Sequence, residues 1–124
     1  MTDEWFGPDD PMSEAVAEAL SHPHRRFTLA YLSQQERSVS LEELAAHLAA
    51  WEADVSVSAL DDRDVSATMQ SLYSIHLPTL AESGLVTFDQ QAEPHVVNVT
   101  RGGEIAVEEF TDESEFDLQH YYVE

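Results

Sequence analysis

The sequence predicts an α+β domain that is mostly helical and carries a two-stranded hairpin in its C-terminal half. Three observations predict this class. Apolar residues recur at three- and four-residue spacing through most of the chain, which is typical of helices buried on one face. Residues 85–89 and 95–100 alternate apolar and polar side chains, as strands do, with a short polar turn between them. The change from the helical to the alternating pattern falls at Gly84, a residue that commonly ends helices.

Length and composition predict one domain with short flanks. The chain has 124 residues and 43% apolar side chains, which suffice for a modest core. We predict a loose acidic arm over residues 1–10, a folded domain over residues 11–110, and an acidic, aromatic tail over residues 111–124. There is no run of about 18 apolar residues and no apolar segment typical of a secretory signal, so we expect a cytoplasmic protein without membrane contact.

The charge of the chain is unusual. It carries 25 acidic residues and five basic ones, all of them arginine, for a net charge of -20. Such a surface repels itself and other anions unless salt screens it, and the Debye length falls to roughly 3 Å at 1 M salt. The complete absence of lysine favours adaptation to the salt-rich cytoplasm of an extreme halophile. The alternative is an acidic interaction protein, or a DNA mimic, from an ordinary cell.

Two short helices are predicted at the start of the folded domain. Asp10 and Pro11 open the first and Pro23 opens the second, because the missing N–H of proline costs nothing in a first turn. The second helix is expected to run to about Ser33. The residues that we expect to be buried are Ala15, Val16, Ala19 and Leu20 in the first helix, and Phe27, Leu29, Ala30, Tyr31 and Leu32 in the second.

A polar connection over residues 34–39 is predicted to lead into a third helix, which ends near Trp51. Ser40 and Glu43 match the capping box, in which each of the two side chains accepts a hydrogen bond from the other residue's backbone amide. The residues expected on the buried side of this helix are Leu41, Leu44, Ala45 and Leu48.

A fourth, long helix is predicted from a cap at Asp61 or Asp62 to the stop at Gly84. Pro78 within it predicts a kink, or a missing hydrogen bond to the carbonyl of Ser74. Its buried face is expected to comprise Val65, Met69, Leu72, Tyr73, His76, Leu77 and Leu80. After the hairpin, a short final helix is predicted over residues 105–110.

Three separated segments resemble one family. Residues 20–32, L-S-H-P-H-R-R-F-T-L-A-Y-L, resemble the first core helix of metal-sensor-type winged helix-turn-helix repressors. Residues 73–86 resemble the recognition helix of those repressors and its exit through Gly-Leu-Val. Residues 97–106, V-N-V-T-R-G-G-E-I-A, resemble the strand and final helix of related regulators. The H-L-P-T-L core of the long helix, preceded by an acidic loop, is similar to a small winged-helix domain of unassigned function that is common in extremely halophilic archaea.

The resemblance implies a winged helix-turn-helix with the two-stranded hairpin as its wing, and a role in transcription regulation. Phosphate contacts supply much of the affinity for DNA, and contacts to base edges supply specificity. Gln70 suits adenine in the major groove, and the serines suit bases or phosphates. The structural alternative is a small polar helix face that only meets water. The candidate DNA-binding residues are Arg25, Arg26, Arg63, Ser66, Ala67, Gln70, Ser71 and Ser74.

We predict no enzymatic activity, no cofactor and no metal site. The chain has no cysteine, and no pair of its six histidines has the spacing of two ligands on one helix face. His76 lies in an apolar stripe and is expected to be a core residue, whereas His22 and His24 are expected in a connecting turn. No residues match a nucleophile with its base, and acidic pairs such as Glu42-Glu43 are explained by capping and hydration.

Two hypotheses for the partner remain open. In the first, a homodimer binds double-stranded DNA, with the apolar residues of the tail either completing the dimer interface or folding back on the domain. In the second, the domain has lost DNA binding and contacts a protein partner through its acidic surface or its tail. The hairpin turn over residues 90–94 has no basic residue, so a structural wing is favoured over one that contacts a groove.

Overall fold

The computed structural model describes residues 14–35, 37–91, 93 and 95–110, which form six α-helices and one antiparallel sheet. The predicted α+β, mostly helical class is confirmed, although the sheet has three strands instead of two. The predicted arm, the Asp10–Pro11 helix start and the tail lie outside the described residues. None of the helices within the described ranges is both long and apolar enough to cross a membrane. The helices are α1 (Glu14–Ala19), α2 (Pro23–Ser33), α3 (Leu41–Ala53), α4 (Asp62–Ser71), α5 (Leu77–Glu82) and α6 (Arg101–Phe110).

The sheet has the strand order β1-β3-β2, with β1 at Val39–Ser40, β2 at Val86–Phe88 and β3 at Val96–Val99. The predicted hairpin is confirmed, since β2 and β3 pair antiparallel. Strand β1 lies where the connection predicted over residues 34–39 meets the start of α3, and it was not predicted. Val39 lies opposite Val97 in the sheet and is completely buried, so this strand joins the start of α3 to the hairpin.

The core lies between α2, α3, the helix from α4 to α5, and the inner face of the sheet. The predicted buried sides of α2 and α3 are confirmed. Among the residues predicted to be buried in the first helix, Val16 and Ala19 are buried and Leu20 is half-buried, whereas Ala15 is exposed. The largest side chains of the core with almost no exposed surface are Phe27, Leu29, Tyr31, Val39, Leu44, Leu48, Leu72, Leu77, Leu80, Leu85 and Val97.

At the start of α3, one of the two hydrogen bonds of the predicted capping box is present. Ser40 Oγ accepts a hydrogen bond from the Glu43 amide at 3.0 Å, as predicted. The Glu43 carboxylate instead accepts hydrogen bonds from Arg37 Nη2 at 2.8 Å and from Tyr31 Oη at 2.7 Å. The hydrogen bond from Arg37 is the main reason that the pKa of Glu43 lies below its usual value. Glu43 therefore joins α3 to α2 and to the loop before β1.

The long predicted helix is present, but a π-helical segment, Leu72–His76, interrupts it between α4 and α5. The Leu77 amide donates to the Leu72 carbonyl, one residue further back than in an α-helix. Pro78 follows directly. In a regular α-helix its ring would clash with the carbonyl of Ser74. We attribute the wider turn to this proline, so the predicted disturbance takes the form of a π segment. Gly84 ends the helix with a φ of 79°, as predicted for a glycine stop.

Candidate nucleic-acid interface and histidine cluster

Five of the predicted DNA-binding residues form one exposed, uncharged face along α4 and into the π segment. They recur at three- and four-residue spacing, which places them on the same side of the helix. All five are solvent-exposed. We call this face the neutral strip, and its residues are Ser66, Ala67, Gln70, Ser71 and Ser74.

The neutral strip is unusual because of the charge of the chain around it. Residues 65–81 contain no Asp or Glu, although the chain carries 25 acidic residues. The strip begins after an acidic first turn, in which the Asp61 side chain caps α4 by accepting from the amides of Arg63 at 2.8 Å and Asp64 at 3.3 Å. Arg63, an exposed residue, is therefore the nearest positive charge to the strip on α4 itself.

Arg25 lies in the interior instead of on the predicted DNA-binding surface. It is only 8% exposed, and its Nε donates to the Ala19 carbonyl at 2.7 Å. Its Nη2 donates to the Glu18 carbonyl at 3.3 Å, so the guanidinium satisfies carbonyls at the C-terminal end of α1. Burial lowers the pKa of Arg25, and the Glu18 carboxylate opposes this effect. The structure therefore removes Arg25 from the candidate phosphate contacts.

Arg26 also contributes to the turn between α1 and α2. It is partly buried, and its Nη1 donates to the Leu20 carbonyl at 2.9 Å. Of the three arginines among the predicted DNA-binding residues, Arg63 is therefore the one that the structure leaves exposed.

Three histidines from distant parts of the sequence come together beside Arg25. One ring nitrogen from each of His22, His24 and His76 lies within 4.8 Å of the others. His76 is 5% exposed, which confirms it as a core residue, and its Nδ1 lies 3.2 Å from Arg25 Nη1. His22 is the N-cap of α2, and its Nδ1 accepts from the His24 amide at 3.1 Å. His24 Nε2 lies 3.3 Å from a carboxylate oxygen of Glu52.

The hydrogen bonds assign a proton position to each neutral ring. Arginine has only donors, so Nδ1 of His76 is an acceptor and its ring proton resides on Nε2. The same assignment holds for His22, whose Nδ1 accepts from an amide. His24 has the opposite arrangement, because its Nε2 donates to Glu52 and leaves Nδ1 as the acceptor.

The environment keeps two of the three histidines uncharged near neutral pH. The pKa of His76 is lowered to about 4, mainly by burial and also by the neighbouring His22, Arg25 and His24. Burial is also the main reason that the pKa of His22 is lowered, with His24 and Arg25 contributing. His22 and His76 therefore offer unprotonated imidazoles, the form that binds metal ions.

The π segment links the histidine cluster to the hairpin. Tyr73 Oη donates to the Gln90 carbonyl at 3.4 Å, and Gln90 Nε2 returns a bond to the Tyr73 carbonyl at 3.0 Å. The Tyr73 ring also meets Phe88 edge to face, with 5.9 Å between ring centroids. The segment thus holds the hairpin through Tyr73 and the turn between α1 and α2 through His76.

The cluster could not be predicted from histidine spacings within single helices. His22 and His24 flank Pro23 at the start of α2, and His76 lies in the π segment, so no local spacing reveals them as neighbours. The useful signal was the position of His76 in the apolar stripe, which indicated that it faces the other helices of the core.

Comparison with known proteins identifies one family. Residues 17–96 match the model of DUF7344, a domain of unknown function. The matched range includes the neutral strip and all three clustered histidines. No curated protein and no solved structure matches the chain.

Proposed function

The chain belongs to the DUF7344 family, and we propose that it is a winged helix-turn-helix protein that binds double-stranded DNA and regulates transcription in a salt-rich cytoplasm. In this proposal α3 and α4 are the helix-turn-helix pair, α4 with the π segment is the recognition helix, and the β2–β3 hairpin is the wing. The close packing of α3 on α4 and the order of helix, glycine and hairpin support it.

The neutral strip is the observation that carries the proposal. A DNA-binding surface on this chain has to approach phosphates without presenting carboxylates. The strip meets this requirement, because it is an exposed helix face without acidic residues. Gln70 at its centre has the amide that pairs with adenine in the major groove, and the serine hydroxyls suit bases or phosphates. At high salt the more distant acidic residues are screened beyond a few Å, so these short-range contacts decide binding.

A homodimer extends the proposal. The family resemblance implies a two-fold dimer, which would present two strips to the two halves of a palindromic site. Each strip would then read one half-site, and the spacing of the half-sites would follow from the dimer geometry.

A second candidate function follows from the end of the strip. Ile75 is 54% exposed, the most exposed large apolar side chain among the described residues. An apolar residue beside small polar ones also suits a protein partner. In this alternative the same face binds another protein, and the domain does not bind DNA.

The first prediction concerns Gln70. We expect Gln70→Ala to weaken binding to the DNA that flanks the chain's own gene by tenfold to a hundredfold, since a bidentate contact to a base is worth about 1–3 kcal/mol. Binding is measured by fluorescence anisotropy in about 2 M KCl, where charge repulsion is screened. Gln34→Ala is the matched control, because Gln34 is an exposed glutamine outside the strip, at the C-cap of α2.

Two results would decide between the candidate functions. Specific binding that Gln70→Ala weakens and Gln34→Ala leaves unchanged supports DNA recognition by the strip. Absence of any DNA binding by the unaltered protein contradicts it. A photo-crosslinker at position 75 that captures one defined protein would then favour the second function.

The salt dependence of binding gives a separate prediction. Each phosphate neutralised by a basic residue contributes about -0.9 to the slope of log K against log salt concentration. With Arg63 as the exposed arginine beside each strip, a dimer is expected to give a slope no steeper than about -2. Cations taken up by nearby carboxylates make the slope shallower still, or positive. A slope near -5, measured in the same assay, would show that basic residues outside the strip dominate binding.

A further inference from the structure

The histidine cluster has the composition and the placement of a metal site. We propose that His22, His24 and His76 together bind one divalent transition-metal ion of the borderline class, with Zn²⁺ the ion that fits best. Imidazole nitrogens are preferred ligands of Zn²⁺, Ni²⁺ and Co²⁺, and three histidines with an open fourth position form a known type of zinc coordination. The proposal does not depend on DNA binding.

The geometry requires only a small closure of the three rings. Zinc-to-nitrogen bonds are about 2.0–2.1 Å, so the nitrogens of a tetrahedral site lie roughly 3.3 Å apart. The three nitrogens now lie within 4.8 Å of one another. His22 and His24 are half-buried at the start of a helix, where rotation of their side chains supplies the movement. His76 is held in the core by the π segment and serves as the fixed ligand.

Glu52 supplies the partner that metal-binding histidines usually have. A ligating histidine commonly donates its second ring N–H to a carboxylate, which fixes the ring and makes its other nitrogen a better ligand. The contact of 3.3 Å between His24 Nε2 and Glu52 has this arrangement and leaves Nδ1 of His24 for the metal.

Metal binding also competes with Arg25. A metal on Nδ1 of His76 takes the place of the Arg25 donor. A metal on Nε2 moves the ring proton to Nδ1, which then no longer accepts the hydrogen bond from Arg25. In either case Arg25 leaves His76 but keeps its bonds to the carbonyls of Ala19 and Glu18. Since a positive guanidinium lies beside the site, we expect moderate affinity, with a Kd of the order of micromolar.

The ligand set excludes the hard cations of a salt-rich cell. Mg²⁺, Ca²⁺ and K⁺ prefer oxygen ligands, and the group contains only ring nitrogens. Millimolar MgCl₂ therefore occupies the surface carboxylates without competing at the cluster, which allows the two kinds of metal binding to be separated.

The test is a titration of the untagged full chain with ZnCl₂ by calorimetry, in concentrated KCl with millimolar MgCl₂. We expect saturable binding of one ion per chain. His22→Asn keeps an N-cap acceptor while removing a ligand, and His24→Gln removes another ligand. We expect each to weaken binding by at least about a hundredfold, since loss of only the hydrogen-bond partner of a ligating histidine costs 10- to 100-fold. His95→Gln, a change to a half-buried histidine outside the cluster, is the matched control and should bind normally.

Co²⁺ provides a second measurement that needs no variant. Its visible spectrum on the unaltered protein should show nitrogen coordination. A spectrum of oxygen coordination only, or Zn²⁺ binding that is equal in His22→Asn, His24→Gln and the control, would overturn the proposal. These outcomes are independent of the DNA assay, so failure of one proposal leaves the other standing.

Discussion

Replacement of Gly103 by alanine is expected to destabilise the protein by about 3 kcal/mol or more, because α6 approaches the root of the hairpin at this residue without space for a side chain. A Cβ at position 103 would overlap the carbonyl oxygen of Leu85 and lie 2.6 Å from Cγ2 of Val99. The Leu85 carbonyl cannot retreat freely, since it accepts a hydrogen bond from the Thr100 amide at 3.0 Å. Urea unfolding followed by circular dichroism measures the change in free energy.

Gly102→Ala is the matched control for this prediction. A Cβ at position 102 would lie 3.4 Å from the Gly84 carbonyl oxygen and 3.6 Å from Thr100 Oγ1, which are ordinary contacts. Alanine is a better helix former than glycine by about 0.5–1 kcal/mol, so this variant should equal or exceed the stability of the unaltered protein. Equal losses in the two variants would contradict the packing argument.

The same glycines explain why the sequence placed the start of α6 four residues too late. Glycine disfavours helices, so the two adjacent glycines indicated a loop, and the helix was predicted over residues 105–110. In the structure Thr100 Oγ accepts from the Gly103 amide at 3.0 Å and donates to the Gly84 carbonyl at 2.7 Å. The helix begins at Arg101 because these tertiary contacts, together with the close approach at Gly103, outweigh the local preference.

Long periodic elements were predictable, and short tertiary ones were not. The long helix, its stop at Gly84 and the hairpin each extend over enough residues for their periodicity to be clear. Strand β1 has two residues, and only its pairing with β3 distinguishes it from the polar connection around it. The predicted bond from the Ser40 amide to the Glu43 side chain was wrong for a similar reason, since the Glu43 carboxylate accepts from Arg37 and Tyr31, which lie outside α3.

In the candidate sites, too, features set by the local sequence were predictable and features set by tertiary packing were not. The neutral strip was predictable, because exposure along one helix follows from spacing alone. Arg25 and Arg26 are adjacent and chemically equal in the sequence, so nothing local indicated that Arg25 enters the core to satisfy carbonyls of α1. The histidine cluster depends on how α2 packs beside the π segment, and that arrangement required the structure.

The pH dependence of stability is the second large effect that we expect. The pKa of His76 is about 4 in the folded protein and 6.5 in the unfolded chain, so between these pH values the unfolded chain binds more protons. The contribution of His76 to stability is therefore complete above pH 6.5 and is lost as the pH falls toward 4. A shift of this size corresponds to about 3 kcal/mol. The groups that lie around the ring or act on the cluster are His22, His24, Arg25, Arg26, Glu18 and Glu52.

Other groups titrate in the same range, so the effect of His76 has to be separated from theirs. The abundant carboxylates change charge there, and the lowered pKa of His22 acts in the same direction as that of His76. His76→Gln keeps an oxygen that can accept from Arg25 but removes the titrating ring. We expect the unfolding free energy of the unaltered protein to fall more steeply between pH 6.5 and 4 than that of His76→Gln, by about 3 kcal/mol over the interval. Both proteins are measured with a chelator and at constant KCl, so that neither metal binding nor screening differs. Parallel pH profiles would mean that His76 is protonated at little cost in the fold, and that the space around it admits water.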